Sequence, residues 1–238
     1  MSNLSEIDVA ILAGGLGTRL ASILPEQQKV ISKVREHPFL EYILNQMDEA
    51  GFKNIIICTG YLGDQVQKIF GNQYRGLTLS YSRELSPLGT AGAIRLALPF
   101  LNSENILITN GDSFYDTNLN KFWQFHLEKK ATGTIILKEV SDTSRYGKVE
   151  VDKKDKIIKF QEKNKTGGIG FINGGLYLFK RAKLLEIPGK KIISFEKDIF
   201  PNWIGKDLYG FKGQGNFIDI GTPKSYKEAQ KFFSEYIK

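Results

Sequence analysis

Cysteine and histidine are scarce. Among 238 residues there is one cysteine, Cys58, and two histidines. A single cysteine excludes an intrachain disulfide and a thiolate zinc cluster, and two histidines far apart in the chain offer no metal-ligand spacing. Cys58 lies in the apolar stretch NIIICTG, where a small buried core residue is expected. Long hydrophobic runs are missing as well, since none reaches the roughly 18 residues that span a bilayer. The opening MSNLSEIDVAIL has neither the basic start nor the apolar run of a secretory signal. There is no linker, low-complexity segment or internal repeat. These absences predict a cytoplasmic protein folded as a single domain over 1–238, without a membrane partner.

The remaining composition is that of an ordinary globular chain. Hydrophobic residues make up 41% and charged residues 25%, enough to bury a sizeable core. The formal net charge is +7, a balance compatible with nucleic acid, acidic lipid or small phosphorylated ligands. Its distribution argues against nucleic acid. The lysines are scattered, and the densest run, GKVEVDKKDKIIKFQEKNK, interleaves them with acids. That run reads as a solvated β-hairpin with Val149, Val151, Ile157 and Phe160 on its buried face. No nucleic-acid partner is expected, whereas an anionic small ligand is compatible with this balance.

The first half alternates strand and helix signals. Strands are expected at Asp8–Ala13, Asn54–Thr59, Leu77–Tyr81 and Asn105–Thr109, and helices at Pro38–Ala50, Leu62–Phe70 and Thr90–Leu98. Proline opens the first of these helices and Gly51 follows its end. Such alternation predicts a Rossmann-like, doubly wound α/β fold on a mostly parallel sheet, with its ligand site beyond the carboxyl ends of the strands. From about Lys138 shorter strands take over, with RYGKVEVD and KIIKFQEK as hairpin arms and INGGLYLFK as a later strand. The domain thus divides into an alternating half, 1–115, and a β-rich half, 116–238, expected to supply a lid for a second substrate. The chain closes on an amphipathic helix, TPKSYKEAQKFFSEYIK, with Thr222 as N-cap and Pro223 in the first turn. Its aromatics Tyr226, Phe232, Phe233 and Tyr236 are expected to pack back on the core, with a homo-oligomer left open.

Three glycine-bearing loops fall on the expected ligand edge: Gly14–Arg19, SPLGTAG, and Gly111–Asp112. The first, within VAILAGGLGTRLASILPEQQKV, is neither of the common phosphate loops. Arg19 follows GLGT where GxxxxGK[ST] needs a lysine–hydroxyl pair, and the third glycine of GxGxxG is replaced by Leu20. Arg19 can still fork two phosphate oxygens, and Lys29 can add a point charge. Asp112 in NGDS and Asp219 in NFIDIGTP sit beside apolar runs, where an ionised carboxylate is costly unless paired or bound to a cation. Either alone fits a turn or helix cap. Together, from distant segments, they form a candidate Mg²⁺ pair.

The motifs LAGGLGTRL, a lysine ahead of PFLEY, SPLGTAGAI, NGDS, FQEK, INGGLYLF and FIDIGTP occur in this order over almost the whole chain. In this the sequence resembles the sugar-1-phosphate nucleotidyltransferases. The resemblance implies the nucleotidyltransferase fold, with 1–115 as the nucleotide-binding half and 116–238, with a β-rich sugar-binding insertion, as the sugar-phosphate-binding half. It also implies Mg²⁺ as cofactor, and a nucleoside triphosphate and a sugar 1-phosphate as partners. It implies that Leu12, Ala13, Gly14, Gly15, Gly17, Thr18, Gly89 and Thr90 bind the nucleotide. Arg19 and Lys29 would hold the triphosphate, and Asp112 and Asp219 the metal. Glu162 and Lys163 would contact the sugar phosphate, Gly147 and Asn173 would line the sugar pocket, and Arg19, Lys29, Asp112 and Lys163 would be the catalytic set. One departure matters. The family lysine usually sits between prolines, whereas Lys29 lies between Gln28 and Val30, which leaves it less fixed and makes Lys33 an alternative. The implied chemistry needs no strong base, because a phosphomonoester with a second pKa of about 6 is largely dianionic at pH 7. Its oxygen attacks the α-phosphorus in line and pyrophosphate leaves.

Glu84, in YSRELSPLGTAGAI, bears on the base. In the thymidylyl- and uridylyl-transferring relatives a glutamine often reads the base at this position, its amide offering one donor and one acceptor. A carboxylate only accepts, and guanine presents two adjacent donors to it. PLGTAGA also resembles the mannose-1-phosphate guanylyltransferases, so GTP is the expected donor, with dTTP or UTP as the alternative. A surface glutamate near a helix start is the bland alternative. The short chain, ending after its last helix, resembles the D-glycero-D-manno-heptose 1-phosphate guanylyltransferases, with mannose 1-phosphate as the alternative sugar; heptose rests on that resemblance alone. Three rival classes fit this sequence less well. A glycosyltransferase would want a closer acidic pair than Asp112 and Asp116, a dinucleotide oxidoreductase its missing third glycine, and a nucleotide-sugar sensor the loss of Arg19 or of one metal aspartate.

Overall fold

Four parallel strands form the centre of the molecule. Asp8–Ala13 lies between Asn54–Thr59 and Asn105–Asn110, and Leu77–Arg83 continues the sheet beyond Asn54–Thr59. The structure is a computed structural model, and it describes residues 3–15, 17–20, 26–144, 146–161, 167–189 and 192–236. These strands read as almost unbroken apolar runs because both faces of the sheet are covered. Val9, Ile11, Ile55, Ile57 and Leu107 join a core with residues of helices Phe39–Ala50, Gly63–Phe70 and Pro223–Tyr236. Their neighbours Ala10, Ile56, Cys58, Ile106 and Ile108 join a second core with helix Gly89–Ala97 and the aromatics Phe195, Phe200 and Trp203. Cys58 is thus a packed core residue, and burial pushes its thiol up to about 12.

The second half continues the same sheet. Gly170–Lys180 pairs antiparallel with Asn105–Asn110 on one side and with Gly133–Val140 on the other, and Leu208–Lys212 adds in parallel beyond that. Gly170–Lys180 changes partners along its length. Its residues 176–180 pair with Asn105–Asn110, while Phe171 and Ile172 pair with the hairpin strand Lys148–Val151, whose other arm is Ile157–Gln161. Between the two registers lies a bulge at Asn173–Gly175, where Gly175 has φ +77°, a conformation in which glycine carries no steric cost. The sheet therefore forks at this bulge, and the fork opens at the carboxyl end of Asn105–Asn110.

The doubly wound architecture agrees with the sequence, and element ends move by one or two residues. Pro38 caps the helix Phe39–Ala50, and Leu62, at φ 57°, precedes Gly63–Phe70. Thr222 caps the last helix as expected, accepting a hydrogen bond from the Ser225 N–H at 3.2 Å. Phe233 of that helix is fully buried and stacks on Tyr42 at 3.7 Å between ring centroids. Helix Leu119–Glu128 and strands Gly133–Val140 and Leu208–Lys212 go beyond the expectations. The helix has its own signal: Asn118 accepts from the Lys121 N–H, and Leu119, Phe122, Trp123 and His126 form the buried stripe. Among the described residues no helix is long and apolar enough to cross a membrane.

Candidate active site

The strand order puts the carboxyl ends of Asp8–Ala13 and Asn105–Asn110 side by side while their following segments diverge, the geometry that opens a crevice in an α/β sheet. Three clefts run along this edge. The first, of about 300 Å³, is lined by residues 12–15, Gln28, Lys29, Glu84, Gly89, Thr90, Asn110 and Asp112 among others. The second, also about 300 Å³, is lined by Arg19, Asn110, Asp112, Tyr146, Asn173, Asp219 and their neighbours. The third, of about 560 Å³, sits in the fork of the sheet between Asn110, Gly147, Gln161, Asn173 and Glu196. Asn110 borders all three.

Lys29 is fixed without prolines. Gln28 is 3% exposed, donates through its side-chain amide to the Ala13 carbonyl, and accepts from the Val30 N–H at 2.7 Å. Its backbone N–H donates to Gln65 Oε1 at 3.0 Å. These bonds tie the short 3₁₀ turn Lys29–Ile31 to the end of the first strand, and the Lys29 ammonium ion-pairs with Asp112 Oδ2. Lys33 is exposed elsewhere, its carbonyl accepting from Tyr226 and Gln230 of the last helix, and it lines none of these clefts.

Asp112 and Asp219 are brought together by a two-strand ladder. Phe217–Asp219 pairs antiparallel with Ser113–Tyr115, setting Asp219 opposite Ser113, and the Ile220 N–H donates to the Asp112 carbonyl at 2.9 Å. Asp219 Oδ1 accepts from the Gly221 N–H and the Ser225 hydroxyl, and Oδ2 from the Tyr146 hydroxyl at 2.7 Å. A Cβ on Gly221 would lie 3.0 Å from Asp219 Oδ1, a tight approach, and 3.6 Å from Arg19 Nη2, which puts the guanidinium beside the Asp219–Gly221 turn. Arg19 therefore borders the second and third clefts rather than the first, where Lys29 stands. Among the described residues no group of three or more His, Cys, Asp or Glu is arranged to hold a metal. Two carboxylates on one cleft nonetheless suit a hard cation such as Mg²⁺, which takes one or two protein carboxylates and completes its shell with phosphate and water.

At the far end of the first cleft, Glu84 Oε2 accepts from the Leu88 N–H at 3.1 Å, and burial raises the carboxyl above its ordinary range while that N–H opposes the shift. Gly89 has φ +75°, and a Cβ there would meet the Ile193 carbonyl oxygen at 2.5 Å. The strap at 193–195 closes on the start of helix Gly89–Ala97, with the Phe195 N–H donating to Thr90 Oγ1 at 2.9 Å. In the fork, Asn173 donates to the Tyr177 hydroxyl at 2.8 Å and accepts from the Gly175 N–H, which shapes the bulge. Burial and the nearby Glu196 carboxylate hold the Tyr177 hydroxyl well above its usual range. A Cβ on Gly147 would meet the Gln161 carbonyl at 2.8 Å.

Most residues singled out from the sequence thus border the joined clefts. Gly17 and Thr18 line none of the three; Gly17, at φ +62°, turns the chain and accepts from the Leu20 N–H. Glu162 and Lys163 lie outside the described residues. Asn110, Tyr146, Gln161 and Glu196 border the clefts and were not singled out. Asn110 and Tyr146 directly precede or adjoin motif residues, whereas Glu196 has no local signal and arrives with the strap.

The family model for nucleotidyl transferases matches residues 9–235. The chain is 37% identical, over 97% of its length and 100% of the relative's, to the D-glycero-alpha-D-manno-heptose 1-phosphate guanylyltransferase of Aneurinibacillus thermoaerophilus. It is 30% identical to the mannose-1-phosphate guanylyltransferase of Mycobacterium tuberculosis, covering 93% of this chain and 63% of that one. Among solved structures, HddC from Yersinia pseudotuberculosis complexed with GMP-PN superposes with a TM-score of 0.83 at 31% identity, covering 95% of this chain and 99% of that one.

Proposed function

The chain belongs to the nucleotidyl transferase family, and on that premise we propose that it transfers a guanylyl group from GTP to D-glycero-α-D-manno-heptose 1-phosphate, releasing pyrophosphate. It is an enzyme, a nucleotidyltransferase. The observation that carries the finer reading is the run of three clefts meeting at Asn110, with an accepting carboxylate, Glu84, at one end and the polar fork of Asn173 and Glu196 at the other. The relatives named for heptose 1-phosphate support the sugar, and the mannose-1-phosphate relative keeps mannose as the alternative.

The residues divide the work as follows. The backbone of residues 12–15, with Gly89 and Thr90, cradles the nucleotide, and Glu84 accepts from guanine N1–H and the 2-amino group. Gly147 and Asn173, with Glu162 and Lys163 from the adjoining segment, receive the sugar phosphate. Lys29 and Arg19 stand at either side of the junction, where they draw the two polyanions together and neutralise charge spreading over the α-phosphoryl oxygens. The sugar-phosphate oxygen is already ionised, so no residue is needed to remove a proton. Asp112 and Asp219 would hold a divalent cation, Mg²⁺, which when bound would supply further positive charge to the phosphates.

Pyrophosphate release with Mg²⁺, with GTP, dTTP, UTP, CTP and ATP each paired with heptose 1-phosphate and mannose 1-phosphate, tests the reading. Release confined to GTP and heptose 1-phosphate is the expected result. Release with mannose 1-phosphate alone removes the sugar and keeps the base, a preference for dTTP or UTP removes the role of Glu84, and silence throughout favours a nucleotide-sugar sensor.

A further inference from the structure

Three parallel strands end in register along the ligand edge: Ala13 lies beside Thr59, and Thr59 beside Arg83. The next residue of each is Gly14, Gly60 and Glu84, a row across three strands spaced about 4.8 Å apart. The Glu84 side chain runs back along that row. Its Oε1 lies 2.9 Å from where a Cβ on Gly60 would stand and 2.8 Å from a Cβ on Gly14, and its Cγ lies 3.1 Å from the former. Neither glycine has a positive φ, so at both positions it is space, not a backbone angle, that excludes a side chain. Glu84 borders the nucleotide cleft and also a second recess, of about 430 Å³, shared with Gly60, Tyr61 and Arg83. A side chain on Gly60 would close the path between the two.

We propose that Gly60 is a positioning residue for base selection: carrying no side chain, it leaves open the channel along which Glu84 crosses the sheet edge and presents its carboxylate to the adjacent N–H donors of guanine. The proposal rests on the reading of Glu84 given above. Gly60 itself touches no substrate. It acts by where it lets Oε1 lie, and the carboxylate's other oxygen, held by the Leu88 N–H, fixes the rotation.

The test compares kcat/KM for GTP and ITP, which lacks the 2-amino group, in wild type and in Gly60→Ala. Wild type prefers GTP, and in Gly60→Ala the GTP-to-ITP ratio falls about tenfold or more, mainly through KM, because a charge-assisted hydrogen bond is lost. A purely structural role lowers both nucleotides equally, and an unchanged ratio overturns the proposal. A Cβ on Gly60 also approaches the Gly14 carbonyl to 2.9 Å, so Gly60→Ala can fail to fold. Glu84→Asp then decides, because a side chain one methylene shorter cannot span Gly60 to reach Gly14 while the glycine edge stays intact. Retention of the ratio in that variant overturns the proposal, because the reach across Gly60 is then not what selects the base. A wild type that does not prefer GTP over ITP or dTTP removes the guanine reading itself, and the proposal with it, before any variant is made.

Discussion

Replacing Gln28 by methionine isolates the clamp that stands in for the prolines around Lys29. Methionine keeps the length and apolar stem of the side chain but neither accepts well nor donates. Two partners lose their hydrogen bonds, the Ala13 carbonyl and the Val30 N–H. Each such loss costs about 1–3 kcal/mol when the group stays dry. Here Gln28 and Ala13 both line the first cleft, so water entering it can replace part of what the amide supplied, and the sum is expected near the low end, about 2 kcal/mol. For a chain of this size that lowers the midpoint of thermal unfolding by roughly 4–8 °C. The larger effect falls on Lys29, whose 3₁₀ turn loses its N-cap, and KM for the nucleotide rises more than tenfold while the fold survives. Gln28 has φ −67° and ψ 129°, values open to proline, so Gln28→Pro keeps the backbone path and recovers part of the nucleotide affinity, although it gives up the N–H to Gln65. Thermal unfolding and initial-rate kinetics on both variants provide the measurement. Unchanged stability and unchanged KM in Gln28→Met refute the clamp.

Asp112→Asn is expected to leave the fold intact by circular dichroism and to lower kcat by at least 10²–10³-fold, roughly the loss seen when a charge-stabilising group is removed; near-normal turnover in Mg²⁺ would count against its role. Gly89→Ala meets both a positive φ and the Ile193 carbonyl at 2.5 Å, so it destabilises by about 2 kcal/mol or more, read as a lower unfolding midpoint. His126 is 2% exposed between Thr134 and Asn105, and burial, with Lys180 adding to it, lowers its pKa from 6.5 to about 4. The unfolded chain binds this proton below about pH 6.5 and the folded one only near pH 4, so the contribution is full above pH 6.5. It is lost as pH falls through that window, by about 3 kcal/mol. Urea midpoints against pH check it, and the same slope in His126→Gln would remove His126 as the cause.

The first half was legible because its strands are covered on both faces and therefore uniformly apolar, with glycine loops at their ends. The fork was not. INGGLYLF reads as one strand, and only pairing partners reveal that its two ends belong to different ladders and that Gly175 bends it between them. Helix Leu119–Glu128 carries a clear stripe, yet it lies between the alternating segments that end at Asn105–Thr109 and the shorter strands that begin near Lys138. Gln28 and Val30 read as the loss of two prolines, since a sequence shows missing rings but not the three hydrogen bonds through which Gln28 holds the turn. Glu84 was visible as a residue type, but its course across Gly60 and Gly14 depends on strand register, which no local spacing encodes.

Under the proposed function, two carboxylates must coexist in a site for polyanions, and the junction has the means. Asp112 and Asp219 are joined by a three-residue ladder, so their backbones are held as one unit across a gap of about a hundred positions in sequence. Their charges are offset from other segments: Lys29 on Asp112, Arg19 beside the Asp219–Gly221 turn, and the Tyr146 and Ser225 hydroxyls on Asp219. Ser225 belongs to the first turn of the last helix, whose Phe233 is locked into the aromatic core with Phe39, Tyr42 and Phe114. The same helix therefore closes the hydrophobic core at one end and orients a junction carboxylate at the other. That coupling ties the position of Asp219 to the packing of Phe233, whereas Lys29 and Arg19 stand on a short turn and an exposed loop, where under the proposed function they exchange a carboxylate for an incoming phosphate.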